Sequence, residues 1–204
     1  MTILIGFPTA TITNDIAECM RLDGASVSIL HPDDFLAGKY NTQDKFIVTV
    51  VRDLDLRQRV IDMLDDKGLD RATFVSSRAL VIHNVVLGPG VFVGPFSSIF
   101  SYSHIGRDCI ISPYCMISHK VQLGENCLLQ PSTSIAGTVT IGKRCTFGLR
   151  SAVLDLINIC DDVYLGGAST ATKSIDKPGC YVGNPARRTA RDKDFLSIDT
   201  VKIK

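Results

Sequence analysis

Residues 105–123 read IGRDCI-ISPYCM-ISHKVQ-L, with Ile105, Ile111, Ile117 and Leu123 spaced six apart. The same step runs back to Val75 and forward to Leu165 without a gap, and all sixteen positions are aliphatic or Phe. If about a third of residues are large and apolar, chance gives such a run roughly once in tens of millions. The fifth position of each hexad is also restricted. It holds only small or β-branched residues, among them Ser97, Ser103, Cys109, Cys115, Cys127, Thr133, Cys145 and Ser151. The second position is Gly seven times, at 88, 94, 106, 124, 142, 148 and 166.

Strand geometry gives this pattern a meaning. Short parallel strands pair with the coil above and the coil below. The first position then points inward and fills a core, and the fifth lies inside near a corner that admits only a small side chain. Gly at the second position is expected to relieve the backbone where the chain turns. Residues 75–170 are therefore expected to form a triangular parallel β-solenoid. Four of the seven cysteines, Cys109, Cys115, Cys127 and Cys145, occupy the inner fifth position and read as small buried hydrophobes.

Residues 1–74 lack the repeat. Thr2–Gly6, Ser26–Leu30 and Lys45–Val51 read as strands. Thr13–Leu22, capped by Thr13 or Asn14, and Leu54–Lys67, ended by Gly68, read as helices. Leu56, Val60, Met63 and Leu64 form the apolar face of the second helix. The βαβ order implies a small Rossmann-like α/β domain over 1–74. The strict repeat stops after Thr170, so 171–186 is expected to cap the solenoid, leaving 187–204 as a tail.

Net charge is +1, which gives no global signal for nucleic acid. No apolar run is long enough to span a bilayer, and the N-terminus lacks a basic region before an apolar stretch. The expected setting is cytoplasmic, with no membrane partner. Charge is uneven, however. Residues 1–74 carry 8 Lys+Arg against 12 Asp+Glu, whereas 171–204 carry 8 against 4. The basic end suits an anionic ligand.

The repeat resembles that of the hexapeptide-repeat acyltransferases. An α/β unit joined to such a solenoid is similar to the sialic-acid O-acetyltransferase and bacillosamine N-acetyltransferase group of bacterial sugar enzymes. The shared strings are Ile117-Ser118-His119, Ile135-Ala136-Gly137, Leu165-Gly166-Gly167-Ala168 and Val182-Gly183-Asn184-Pro185-Ala186, together with Arg57. The resemblance implies a mainly β fold, a left-handed parallel β-helix of about five coils with three hexads in each. It also implies a homotrimer with active sites between solenoids. The expected reaction is transfer of an acyl group, acetyl in the first instance, from a CoA thioester to the nitrogen or oxygen of a sugar or nucleotide-sugar-like acceptor.

At the third position of its hexad His119 should face outward, in a column with His83, Ser101, Gly137 and Asp155. The resemblance makes neutral His119 the general base and the Gly137 N–H the oxyanion donor. It places the pantetheine arm near Leu149 and Gly167, and the adenine and phosphate end near Pro185, Arg187 and Arg188. Asp33, Asp34 and Arg57 become acceptor candidates.

This chain departs from the group at three places. Lys120 stands where an Asp or Glu usually follows the His, so a carboxylate such as Glu125 or Asp155 has to orient the ring. Leu128 stands where a further His is common. The loop Gly6-Phe7-Pro8-Thr9-Ala10 replaces a Gly-rich nucleotide loop, and Pro8 has no N–H for phosphate. These departures also suit a trimeric scaffold that has lost the chemistry. γ-Class carbonic anhydrases share the repeat, but they bind zinc through three histidines, two of them five residues apart. No two of His31, His83, His104 and His119 have that spacing, so no metal is expected.

Overall fold

The computed structural model describes residues 1–190. The C-terminal segment 191–204, most of the expected tail, lies outside the described residues.

The chain opens with a three-stranded parallel sheet. β1 (Thr2–Ile5) lies between β2 (Val27–Leu30) and β3 (Lys45–Val48). Helices α1 (Thr11–Leu22), α2 (Pro32–Leu36) and α3 (Leu54–Asp66) connect and cover the strands. The α1 cap differs from the expected one. The cap residue is Ala10, and Thr13 is buried with its hydroxyl 3.2 Å from that of Thr49. Asp53 caps α3 by accepting from the Leu56 N–H at 2.8 Å, and His31 caps α2.

From Phe74 onward, two-residue strands wind into three parallel sheets, the faces of a triangular prism. The first face stacks the strands of Phe74–Val75, Phe92–Val93, Ile110–Ile111, Leu128–Leu129, Thr146–Phe147, Val163–Leu165 and Gly179–Val182. The second face runs from Leu80–Val81 to Thr170–Ala171, and the third from Val86–Leu87 to Asn158–Ile159. Each strand pairs with the one three hexads on, as in Ile111 with Leu129 and Ile117 with Ile135.

The inner positions behave as the repeat predicts. From Val91 to Ile175 the first- and fifth-position apolar residues form one continuous buried core. The stacked thiols belong to it. Burial pushes the Cys115 thiol up to about 12 and that of Cys127 well above its ordinary range, so both stay protonated.

The winding runs to about six turns rather than five, because the coil continues past Thr170. Ala171 pairs in register with Val153, Ile175 bridges to Ile159, and Tyr181 lies opposite Leu165. The pairing of Leu165 with Tyr181 leaves this last coil short of three full hexads, so a strict hexad count loses it. Arg187–Arg188 then pairs antiparallel with Tyr181–Val182 and closes the edge.

The glycines have a different role from the expected one. The left-handed backbone conformation falls on the fourth position of each hexad. There fourteen non-glycine residues, from Asn84 to Ala168, have φ between 54° and 68°. Each costs about 1–2 kcal/mol that stacking must offset. The second-position glycines are instead sites of close approach between coils. A Cβ at Gly106 would lie 2.6 Å from the carbonyl carbon of Gly124, and one at Gly124 would lie 2.5 Å from that of Gly142.

The N-terminal sheet is not set apart by a linker. Leu4, Ile16, Ala17, Met20 and Ile47 share one apolar cluster with Phe92, Ile110 and Leu128 on the outside of the first face. Leu128 is thus an anchor for the N-terminal segment.

Because the backbone of the neighbouring coil cannot withdraw, Gly124→Ala is expected to destabilise the fold by about 1–3 kcal/mol. Thr140→Ala, on the exposed third face, should stay within about 0.5 kcal/mol of the parent. Chemical denaturation of the two variants checks this.

Candidate active site

The third and fourth positions of successive hexads line the corners of the prism, and the three corners carry different chemistry. The corner between the third and first faces is a ladder of charge. Glu125 is 3.5 Å from Arg107 and 3.2 Å from Lys143, and Arg144 pairs with Asp162 at 2.7 Å. Asp65 of α3 joins this ladder through Arg107 and Arg71, and Arg71 reaches Asp108 at 2.8 Å.

Arg57 belongs to that joint and not to a binding surface. It is completely buried. Its guanidinium donates to the carbonyls of Val48, Val50 and Asp108 and to Asn126 Oδ1. Burial lowers its pKa to about 10. An acceptor role for Arg57 is therefore corrected: a guanidinium enclosed among these carbonyls is out of reach of ligand. Asp34 is paired with Lys39 at 2.7 Å, which holds its carboxyl below the usual range. Asp33 is exposed beside His31.

The corner between the second and third faces carries His119. Its position is set by the strands below it: Ile117 pairs with Ile99 on one side and Ile135 on the other, so Ser101, His119 and Gly137 stack. The backbone locks the stack, with Lys120 N–H donating to Ser101 O at 3.0 Å and Thr138 N–H to His119 O at 2.9 Å. His119 is exposed, as its hexad position predicts, and Gly137 is buried beneath it. A Cβ at Gly137 would lie 2.6 Å from His119 Cε1 and 2.8 Å from Nε2, so the imidazole occupies the space that only glycine leaves free. The Gly137 N–H has no backbone acceptor among the described residues. Glu125 is held on the charge-ladder corner by its own cations and does not serve this histidine.

The corner between the first and second faces holds the other expected ligand residues. Leu149 and Gly167 are exposed and adjacent, with Ala168 N–H donating to Leu149 O at 2.8 Å. The segment around Pro185 is fastened just above them: Gly183 N–H donates to Ser169 Oγ at 2.9 Å and Ala186 N–H to Thr170 O at 2.8 Å. Pro185 and Arg187 are exposed there. The structure thus brings His119 to Gly137, and Leu149 and Gly167 to the Pro185 segment, on two different corners of one prism.

The sequence reading also missed features of the second face. Its outward residues are Leu80, Ser98, Met116, Ser134, Ala152 and Thr170, apolar or small, and both flanking corners expose aromatic rings. Phe96 and Tyr114 stack at 5.1 Å on one corner, and Tyr102 is 58% exposed on the other. The sixth position of the hexad carries the signal. The matching residues of the third face include His104, Gln122, Thr140 and Asn158, all polar.

Residues 102–137 match the family model described as bacterial transferase hexapeptide (six repeats). The chain has the fold of solved hexapeptide-repeat acetyltransferases. PerB of Caulobacter crescentus, solved in complex with CoA and GDP-perosamine, superposes with a TM-score of 0.81 at 24% identity, over 92% of this chain and 96% of that one. The acetyltransferase domain of PglB from Neisseria gonorrhoeae gives 0.84 at 16% identity, over 92% and 98%. WeeI from Acinetobacter baumannii gives 0.79 at 18% identity, over 93% and 99%. Among the described residues no helix is long and apolar enough to cross a membrane, and no cluster of His, Cys, Asp and Glu could hold a metal ion.

Arg57→Met should cost about 3–5 kcal/mol in denaturant unfolding, because four buried partners lose their donors. Activity per folded molecule should be unchanged, in contrast to the loss expected of a substrate-binding arginine.

Proposed function

We propose that the protein is an acetyl-CoA-dependent N-acetyltransferase acting on an amino sugar, carried on a nucleotide or a comparable group. The observation that carries the reading is the exposed His119 imidazole seated on Gly137. The bound ligands of the structural relatives support the substrate classes: PerB was solved with CoA and GDP-perosamine, and the PglB domain with acetyl coenzyme A. The perosamine enzyme was also solved with a histidine replaced, in complex with the same two ligands.

In this reading neutral His119 accepts a proton from the acceptor amine as the nitrogen attacks the thioester carbonyl. The Gly137 N–H donates to the oxygen on which charge develops. The acyl group passes directly to the acceptor and CoA thiolate leaves, with no covalent enzyme intermediate. Leu149, Gly167 and Ala168 give the pantetheine arm an exposed edge of modest side chains. Arg187 and Pro185 face the phosphate and adenine end. Asp33, exposed at the start of α2, remains the acceptor candidate of the N-terminal segment.

His119 and the CoA candidates lie on different corners, so the site needs more than one copy. Three left-handed solenoids packed by their second faces bring the His119 corner of one against the Leu149 corner of the next. Exposed Leu80, Met116, Phe100 and Leu154 on and beside that face supply the apolar surface such packing needs. A cytoplasmic setting is consistent with nucleotide-linked acceptors.

His119→Ala should lower the rate of free-thiol release from acetyl-CoA, with GDP-perosamine as acceptor, by about 10²–10⁴-fold. An unchanged rate would sink the assignment. Met116→Arg should convert a species of three times the chain mass to monomer in sedimentation and remove turnover with it. Retention of the assembly by this variant would count against second-face packing.

A further inference from the structure

We infer that Asp155 is a positioning residue for His119, orienting the imidazole across the notch that Gly137 leaves in the corner. The inference rests on the general-base reading of His119.

Three observations carry it. Ile117, Ile135 and Val153 pair in successive strands of the second face, so His119, Gly137 and Asp155, each two residues further on, stack in one column. Adjacent strands lie about 4.8 Å apart, which puts Asp155 two coils, or about 9.6 Å, from His119 along the backbone. The imidazole does not stand straight out. It fills the position of a Gly137 side chain, 2.6 Å from the Cβ that residue lacks. The ring has therefore moved most of one coil toward Asp155, and the middle residue of the column leaves the way open.

The third observation is the state of the other carboxylates. Glu125 is held by Arg107 and Lys143, Asp161 and Asp162 by Arg144, and Asp108 by Arg71. Asp155 is exposed and has no hydrogen bond or ion pair among the described residues. The remaining ionisable groups of the column and its flank are cations or imidazole: Lys120 next in the chain, Lys173 one coil beyond Asp155, and His83 two coils away on the other side. None of these can accept a ring N–H as a carboxylate does. A carboxylate that accepts from one ring nitrogen fixes the tautomer and leaves the other nitrogen free to take the acceptor's proton.

The test uses the full chain labelled with ¹⁵N at histidine, with the His119 signals assigned by their loss in His119→Ala. Wild type and Asp155→Glu are expected to show one dominant neutral tautomer of His119, and Asp155→Ala a mixture. In free-thiol release from acetyl-CoA with GDP-perosamine, kcat of Asp155→Ala should fall by about one order of magnitude, with KM for acetyl-CoA unchanged and partial recovery in Asp155→Glu. The same tautomer populations in Asp155→Ala as in wild type would overturn the inference. So would a loss confined to KM for the acceptor, which would make Asp155 a substrate contact. Full turnover in His119→Ala would instead overturn the general-base reading beneath it, an outcome that the tautomer measurement keeps separate.

Discussion

The stacking register of three hexads per coil is the constraint on which the rest of the structure depends. Each coil donates to the next through bonds such as Gly94 N–H to Ile111 O, Ser112 N–H to Leu129 O and Gln130 N–H to Phe147 O, at 2.8–2.9 Å. A strand of two residues has almost no pairing of its own, so no coil is stable without its neighbours. Once the register is set, every third-position side chain stands above the one three hexads earlier. The core, the charge ladder and the His119–Gly137 contact all follow from that single translation.

The register repeats the backbone but not the chemistry, and that freedom separates the corners. On one corner, opposite charges alternate along the stack, and Arg57 with Arg71 ties it to the N-terminal sheet. A buried guanidinium is tolerated there because carbonyls and an amide oxygen surround it. The other two corners are left to ligands, and the second face between them is apolar and small. Function divides along the geometry of the prism: one corner holds the fold together while the remaining two hold groups that can bind or react.

Much of this was legible in the sequence, since the inner positions repeat every hexad and tolerate no polar exception at the first place. Ile117 and Ile135 fixed where His119 and Gly137 would lie before any coordinate was known. The failures have physical causes. The glycines were assigned to turning, but a hexad does not say which of its residues takes the left-handed conformation. Phe96 and Tyr114 take it despite their bulk. The final coil was lost because it is shorter than the others. Arg57 was read as exposed because helical spacing marks an arginine as polar, and only the tertiary arrangement reveals the carbonyls of Val48 and Val50 that enclose it. The division of the candidate site between two corners could not be read from the residues of one coil.

The same register bears on the oddest feature of the candidate site, a lysine directly after the histidine. In a chain without stacked coils, the residue next in sequence is the surest place from which to orient a side chain. In a solenoid, a neighbour along the column is placed almost as firmly. Thr138 N–H to His119 O and Leu156 N–H to Gly137 O hold the three coils in fixed relation, at 2.9 and 3.2 Å. The carboxylate can therefore move from the chain neighbour to the column without loss of definition, provided the residue between is glycine. Gly137 meets that condition, and a single missing side chain both seats the imidazole and opens the path to Asp155. Lys120 is then free to vary, because the orientation of His119 no longer depends on it.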